Sequence, residues 1–153
     1  MRAAIYSRVS SAELQLDGFS LDAQRAACER LAQERGWEVM AIYTDPGVSA
    51  RATQRPQFQQ MVEDARAGRF DVIIVHKLDR FSRSVVDVLM TLREEELGVT
   101  LVSATESFDF TTPTGRAMLT VMAAFAQWYL EPIRKIEEMV YLRPHHSTEE
   151  VTE

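Results

Sequence analysis

Asp71-Val72-Ile73-Ile74-Val75-His76-Lys77-Leu78 runs directly into Asp79-Arg80-Phe81-Ser82-Arg83. Val72 to Val75 are all β-branched, with no polar alternation. That is the pattern of a strand buried on both faces, as in a parallel sheet covered by helices. The change to charged residues at Asp79 marks an abrupt strand exit. On the amino side, Pro56 fits the first turn of a helix with Phe58, Met61, Val62 and Ala65 on one face, stopped near Gly68. On the carboxyl side, a helix is expected from Ser84 or Val85 to Leu97, striped by Val85, Val88, Leu89 and Leu92. Gly98 stops it, and a strand follows at Val99–Ser103.

The same alternation extends to the amino end. A first strand, Ala3–Tyr6, is expected to run out at Ser7-Arg8-Val9-Ser10 into a polar loop, Ser11 to Phe19. Ser20 suits an N-cap, and Asp22 favours the helix dipole. That helix carries Leu21, Cys28, Leu31 and Ala32 as its stripe, runs to Arg35, and has Gly36 in the C′ position. A second strand, Glu38–Tyr43, is expected to end in a turn at Asp45-Pro46-Gly47, followed by a polar loop with Ser49, Arg51 and Arg55. Strands alternating with helices predict an α/β domain of three layers, with a central, mostly parallel sheet and helices on both faces. Chemistry in such a sheet belongs at the carboxyl ends of the strands. Strand one brings Arg8 and Ser10 there, strand two Asp45 and the Ser49–Arg55 loop, and strand three Asp79, Arg80 and Arg83.

The chain of 153 residues suits one domain plus a tail, and its apolar fraction of 46% argues against global disorder. No run has signal-peptide or membrane-span form, so cytoplasm is the expected compartment. Cys28 is the single cysteine, which removes an intrachain disulfide or cysteine-based zinc site. No metal cluster is visible among the histidines, and no Gly-rich phosphate loop follows strand one, so neither a metal nor a nucleotide cofactor is expected. A net charge of -6 argues against holding nucleic acid by bulk electrostatics. It leaves room for a few placed cations at a reaction centre.

A long last helix is expected to start with Thr112 as cap and Pro113 in its first position. Met118, Met122, Phe125 and Tyr129 line one face, and Leu119, Val121, Ala126, Trp128 and Leu130 make the others apolar. Such a helix is buried on more than one side, either as a central core helix or against a partner subunit. Glu131-Pro132 interrupts it. Residues 131–153 are expected to be a divergent helical or disordered acidic tail without a DNA-binding domain, and residues 1–130 the folded domain.

Ser10 has no histidine or lysine near it in sequence to act as base. Arginines suit a bidentate grip on phosphate and relief of charge in phosphoryl transfer. Arg8, Arg55, Arg80 and Arg83 gathered around Ser10 would describe that chemistry better than acyl transfer; scattered, they are solvated loop charges. Asp79 would orient an arginine or shuttle a proton. Asp45 is either a site residue or a turn residue.

Together these stretches resemble a known family. Tyr6-Ser7-Arg8-Val9-Ser10, Gly18-Phe19-Ser20-Leu21-Asp22-Ala23-Gln24, Asp45-x-Gly47-x-Ser49-Ala50 with Arg55-Pro56-x-Phe58, Lys77 to Arg83, and Thr112-Pro113-Thr114-Gly115-Arg116 stand in that order. They resemble the catalytic domain of serine site-specific recombinases, the resolvase/invertase family that includes the large phage integrases, over Ile5 to about Gln127. The resemblance implies that Ser10 attacks a DNA phosphodiester, forms a 5′-phosphoserine bond and releases a 3′-hydroxyl, without metal or cofactor. It implies that Arg8, Arg80, Arg83 and Arg55 surround the phosphate and that Asp79 supports them. Gln24 is then an accessory residue, Tyr6 packs around Arg8, and Asp45 and Ser49 are accessory positions. It also implies homodimers that pair into tetramers through the last helix.

By strand alternation Arg8 and Ser10 share a face and Ser7 points away, so Ser10 is the expected nucleophile. The chain departs from the family pattern at Tyr129-Leu130-Glu131-Pro132, where a Glu-Arg pair and an unbroken basic helix are usual. Weak DNA binding by this chain alone is therefore expected. The alternative to an active recombinase domain is a non-catalytic dimerisation module from a truncated recombinase.

Overall fold

The strand at the amino end, β1 (Arg2–Val9), is the one the sheet is built on. The computed structural model describes residues 1–9, 21–46, 55–77, 97–122, 124, 125, 128 and 135. Within them follow α1 (Leu21–Arg35), β2 (Glu38–Pro46), α2 (Pro56–Arg66), β3 (Val72–Val75) and β4 (Thr100–Ser103). The four strands form one sheet in the order β2-β1-β3-β4, and every pairing is parallel. An antiparallel bridge, Val102 with Asp109, adds to it.

Side-chain alternation along the strands sorts the core into two halves. Ala3, Ile5, Val72, Ile74 and Val102 meet Cys28 and Ala32 of α1. Ala4, Tyr6, Tyr43, Ile73, Val75 and Leu101 meet Met61, Val62 and Ala65 of α2. The sheet is thus covered on both faces, and β3 is buried at all four positions, as its β-branched run predicts.

The helix ends follow their sequence signals. Gly36 has φ 67°, and behind it Trp37 N–H donates to the Ala32 carbonyl at 2.8 Å while Gly36 N–H donates to Gln33 at 3.1 Å. These paired bonds close α1, and they need a residue that tolerates a left-handed backbone. Pro56 opens α2. The Thr112 hydroxyl accepts the Gly115 N–H at 3.0 Å, which makes Thr112 the cap of the helix that begins at residue 113.

Three boundaries differ from expectation. β1 extends to Val9 and β2 to Pro46, pairing Arg8 with Asp45 and Val9 with Pro46; Asp45-Pro46 is strand, not turn. β2 is an edge strand, where a proline's missing donor is tolerated. β3 covers the β-branched run Val72–Val75 alone and ends before His76-Lys77, which were expected to continue it. The expected cap Ser20 and the expected helix before Leu97 lie outside the described residues.

Candidate active site at the carboxyl edge of the sheet

Parallel strands deliver their carboxyl ends to one edge, and β1 and β2 bring Tyr6, Arg8 and Asp45 to it. Tyr6 and Asp45 are buried. The Tyr6 hydroxyl donates to Asp45 Oδ2 at 2.8 Å and accepts from Arg55 Nε at 3.0 Å. A neutral phenol has one proton and two lone pairs, so it does both. Burial is the largest influence on that phenol and raises its pKa well above the ordinary 10.0, while the Arg55 charge pulls the other way.

Asp45 has a second task. Its Oδ1 accepts the Gln57 N–H at 3.0 Å and its Oδ2 the Phe58 N–H at 2.9 Å. These are the first amides of α2, which otherwise lack partners. Arg55, at the N-cap position, makes no side-chain cap bond, so the carboxylate of β2 caps the helix from outside. Its negative charge at a helix amino end is also favourable. The Arg55 guanidinium lies over the rings of Phe58 and Tyr6, 4.0 Å and 5.1 Å from their centroids.

The predicted accessory residue Gln24 sits on the other face. It is buried in α1, and its Nε2 lies 3.5 Å from the Arg8 carbonyl oxygen, so it addresses the main chain of Arg8. Its Oε1 and the buried Ser7 Oγ find no hydrogen-bond partner among the described residues. Ser7 follows Ile5 on the α1 face, and Tyr6 lies on the α2 face, consistent with Arg8 pointing away from Ser7. Tyr6, expected to pack around Arg8, has Asp45, Arg55 and Phe58 as partners.

The expected site is therefore described in part. Tyr6, Asp45 and Arg55 come together, with Arg8 beside them in β1. Ser10, Ser49, Asp79, Arg80 and Arg83 lie outside the described residues, as does Tyr129. β3 ends beside β1, Val75 opposite Tyr6, and the His76 carbonyl accepts from the hydroxyls of Ser103 and Thr105 at 3.0 and 2.7 Å. Phe58 was readable as a core residue but not as a partner of Arg55; its i, i+3 spacing from Arg55 was the available signal.

On the last helix, Leu119 packs against the core, while Met118, Val121, Phe125 and Trp128 are exposed, Phe125 at 68% and Trp128 at 73%. Met122 is half-buried. Among the described residues no helix is long and apolar enough to cross a membrane.

A parallel α/β domain with an arginine, a tyrosine and an aspartate locked together beside its strand ends is the class defined by these features. The resolvase N-terminal domain family model matches residues 3–138. The chain is 36% identical over 124 residues to a probable DNA-invertase of Sinorhizobium fredii, covering 80% of this chain and 36% of that protein. It is similar to the N-terminal catalytic domain of TP901-1 integrase, with a TM-score of 0.73, 34% identity, and 86% and 98% of the two chains covered. It is also similar to a resolvase family site-specific recombinase from Streptococcus pneumoniae, with a TM-score of 0.71, 31% identity, and 92% and 97% covered. The chain belongs to the resolvase N-terminal domain family and is a serine recombinase catalytic domain. It spans about a third of the length of the Sinorhizobium relative, 36%.

Proposed function

We propose that this domain cleaves and rejoins DNA through Ser10. The observation that carries the reading is the Tyr6–Asp45–Arg55 cluster, placed at the strand edge beside Arg8, two residues before Ser10. Ser10 Oγ attacks the phosphorus, the bond to the 3′-oxygen breaks, and the 3′-hydroxyl leaves with a proton. The serine phosphodiester so formed keeps the energy for the reverse attack. Arg8 and Arg55, with Arg80 and Arg83, meet the charge that builds on the non-bridging oxygens. Asp79 orients those arginines, and Asp45 does so through Tyr6. Gln24 braces the main chain of Arg8, and Ser49 belongs to the segment that leads to Arg55.

The exposed stripe of Met118, Val121, Phe125 and Trp128, with Met122 and Tyr129, is read as the face for a second copy, giving dimers and, during strand exchange, tetramers. The compartment is the one that holds the DNA, the cytoplasm.

The test joins a DNA-binding domain of known specificity to the carboxyl end of the full chain. Incubation with a duplex carrying two of its sites is expected to give covalent protein–DNA adducts that vanish in Ser10→Ala. Adducts that persist in that variant exclude Ser10 as nucleophile. A second fusion, with a relative's last helix and DNA-binding part placed after Gln127, separates an interrupted helix from an inactive centre. If both fusions stay silent, the reading becomes a pairing module without catalysis.

A further inference from the structure

We propose that Phe58 is a positioning residue that, with Tyr6, fixes the plane of the Arg55 guanidinium at the sheet edge. The inference rests on the reading of Arg55 as a phosphate-binding arginine. Three contacts define the arrangement, one to Phe58 and two to Tyr6. The guanidinium carbon is 4.0 Å from the Phe58 centroid and 5.1 Å from that of Tyr6, both within the range in which a cation is held by a ring face. Arg55 Nε donates to the Tyr6 hydroxyl at 3.0 Å. The two rings meet at 73° with centroids 5.5 Å apart, so they form a corner and not a stack.

The corner is anchored on both sides. Tyr6 is buried in β1 and bonded to Asp45 of β2. Phe58 is held by its amide on the same carboxylate and by packing on the core. Arg55 itself lies just outside α2, with φ -123° and ψ 73°, at the end of a segment outside the described residues. Its carbonyl accepts the Gln59 N–H at 3.0 Å, so the helix holds its backbone from the carboxyl side, and the side chain docks onto Tyr6 and Phe58.

The chemistry explains why rings suit this task. A phosphate is gripped by guanidinium N–H groups, which lie in the plane of the fork. A carboxylate partner competes for those same donors. An aromatic face contacts the flat side of the fork and fixes its plane without using an in-plane donor. Phe58 offers only its face, so any effect it has on phosphate chemistry passes through the orientation of Arg55.

The alternative is that Phe58 is simply a core residue of α2, and the measurements are chosen to tell the two apart. In the full chain labelled with 15N-arginine, the Arg55 Hε resonance is expected to be ring-shifted and slow to exchange. Phe58→Leu should return it toward the free-arginine position, while Phe58→Tyr should hold it. In the fusion described above, Phe58→Leu should slow adduct formation about tenfold, close to the strength of one partly desolvated cation–π contact, and Phe58→Tyr should restore the rate to within about twofold. In an Arg55→Ala background, Phe58→Leu should cost nothing further, since the two act as a unit. An unchanged Hε resonance in Phe58→Leu, or the same tenfold loss in the absence of Arg55, would overturn the proposal. If the unsubstituted fusion forms no adducts, the phosphate reading of Arg55 fails, and the Hε resonance alone decides whether the corner holds the guanidinium.

Discussion

Asp45 and Phe58, on different elements, are joined by a hydrogen bond of 2.9 Å from the Phe58 amide to the Asp45 carboxylate. The same carboxylate receives the Tyr6 hydroxyl, so one side chain ties β1, β2 and the first turn of α2 together. Asp45→Ala leaves a buried hydroxyl and two helix amides without an acceptor. A loss of about 3 kcal/mol is expected, from the cost of unmet buried donors and of a lost cap. Asp45→Asn keeps one acceptor and should lose less. Urea unfolding measures both, and equal stability of Asp45→Ala and the parent chain would show that the cap is dispensable.

A second buried pair sets an acid limit. The Tyr43 hydroxyl donates to Asp64 Oδ2 at 2.5 Å, and Gln60 Nε2 donates to Oδ1 at 3.2 Å. The Tyr43 bond is the main cause holding the Asp64 carboxyl below its ordinary 3.8. A carboxyl depressed in the folded state stabilises it fully above 3.8, and that contribution is lost as pH falls through the lower folded value. Tyr43→Phe should therefore cost about 1 kcal/mol between pH 5 and 7. The difference from the parent chain should shrink below pH 3.8. Denaturation series at several pH values read it, and a gap that widens in acid would contradict the assignment.

Cys28 reports the opening of α1. Its side chain is fully buried between α1 and the sheet, and burial pushes the thiol up to about 12. The thiolate is the reactive form, so a disulfide reagent at pH 8 should label the native chain only at the rate at which the domain opens. Labelling should become immediate in denaturant. Rapid native labelling would mean that α1 leaves the sheet without global unfolding.

The last helix carries a prediction about assembly. Phe125 and Trp128 are exposed and pack edge to face at 6.4 Å. Charged replacements there, Phe125→Glu with Trp128→Glu, should leave the domain's unfolding midpoint within about 0.5 kcal/mol, as for surface changes. They should abolish self-association in sedimentation velocity. A parent chain that sediments as a monomer at high concentration would remove this face from the assembly.

Much of this was legible in the sequence because the signals were local. Val72 to Val75 read as a doubly buried strand, Gly36 as a helix stop, and Thr112-Pro113 as a helix start, and each is decided within a few residues. What escaped was decided by distant partners. Asp45-Pro46 reads as a turn until β1 supplies Arg8 and Val9 beside it. Asp64 carries no local signal of its partner, because Tyr43 reaches it from β2. Gln24 was singled out by motif, but its burial against the Arg8 main chain depends on how α1 lies on β1, which no periodicity specifies. Of the expected site residues, Tyr6, Asp45 and Arg55 lie in contact. Phe58 was assigned to the core alone because a ring beside an arginine looks like any other apolar residue.

The order β2-β1-β3-β4 puts β1, which comes before the other three in the chain, in the interior of the sheet. On the ribosome, β1 gains its β2 neighbour once Pro46 has emerged, but its other edge stays open until Val72–Val75 arrive. During that interval the backbone of Ala3 to Tyr6 presents an unpaired parallel edge, flanked by residues destined for complete burial. The nascent chain is thus most vulnerable to pairing with a neighbour on the same polysome before β3 is made.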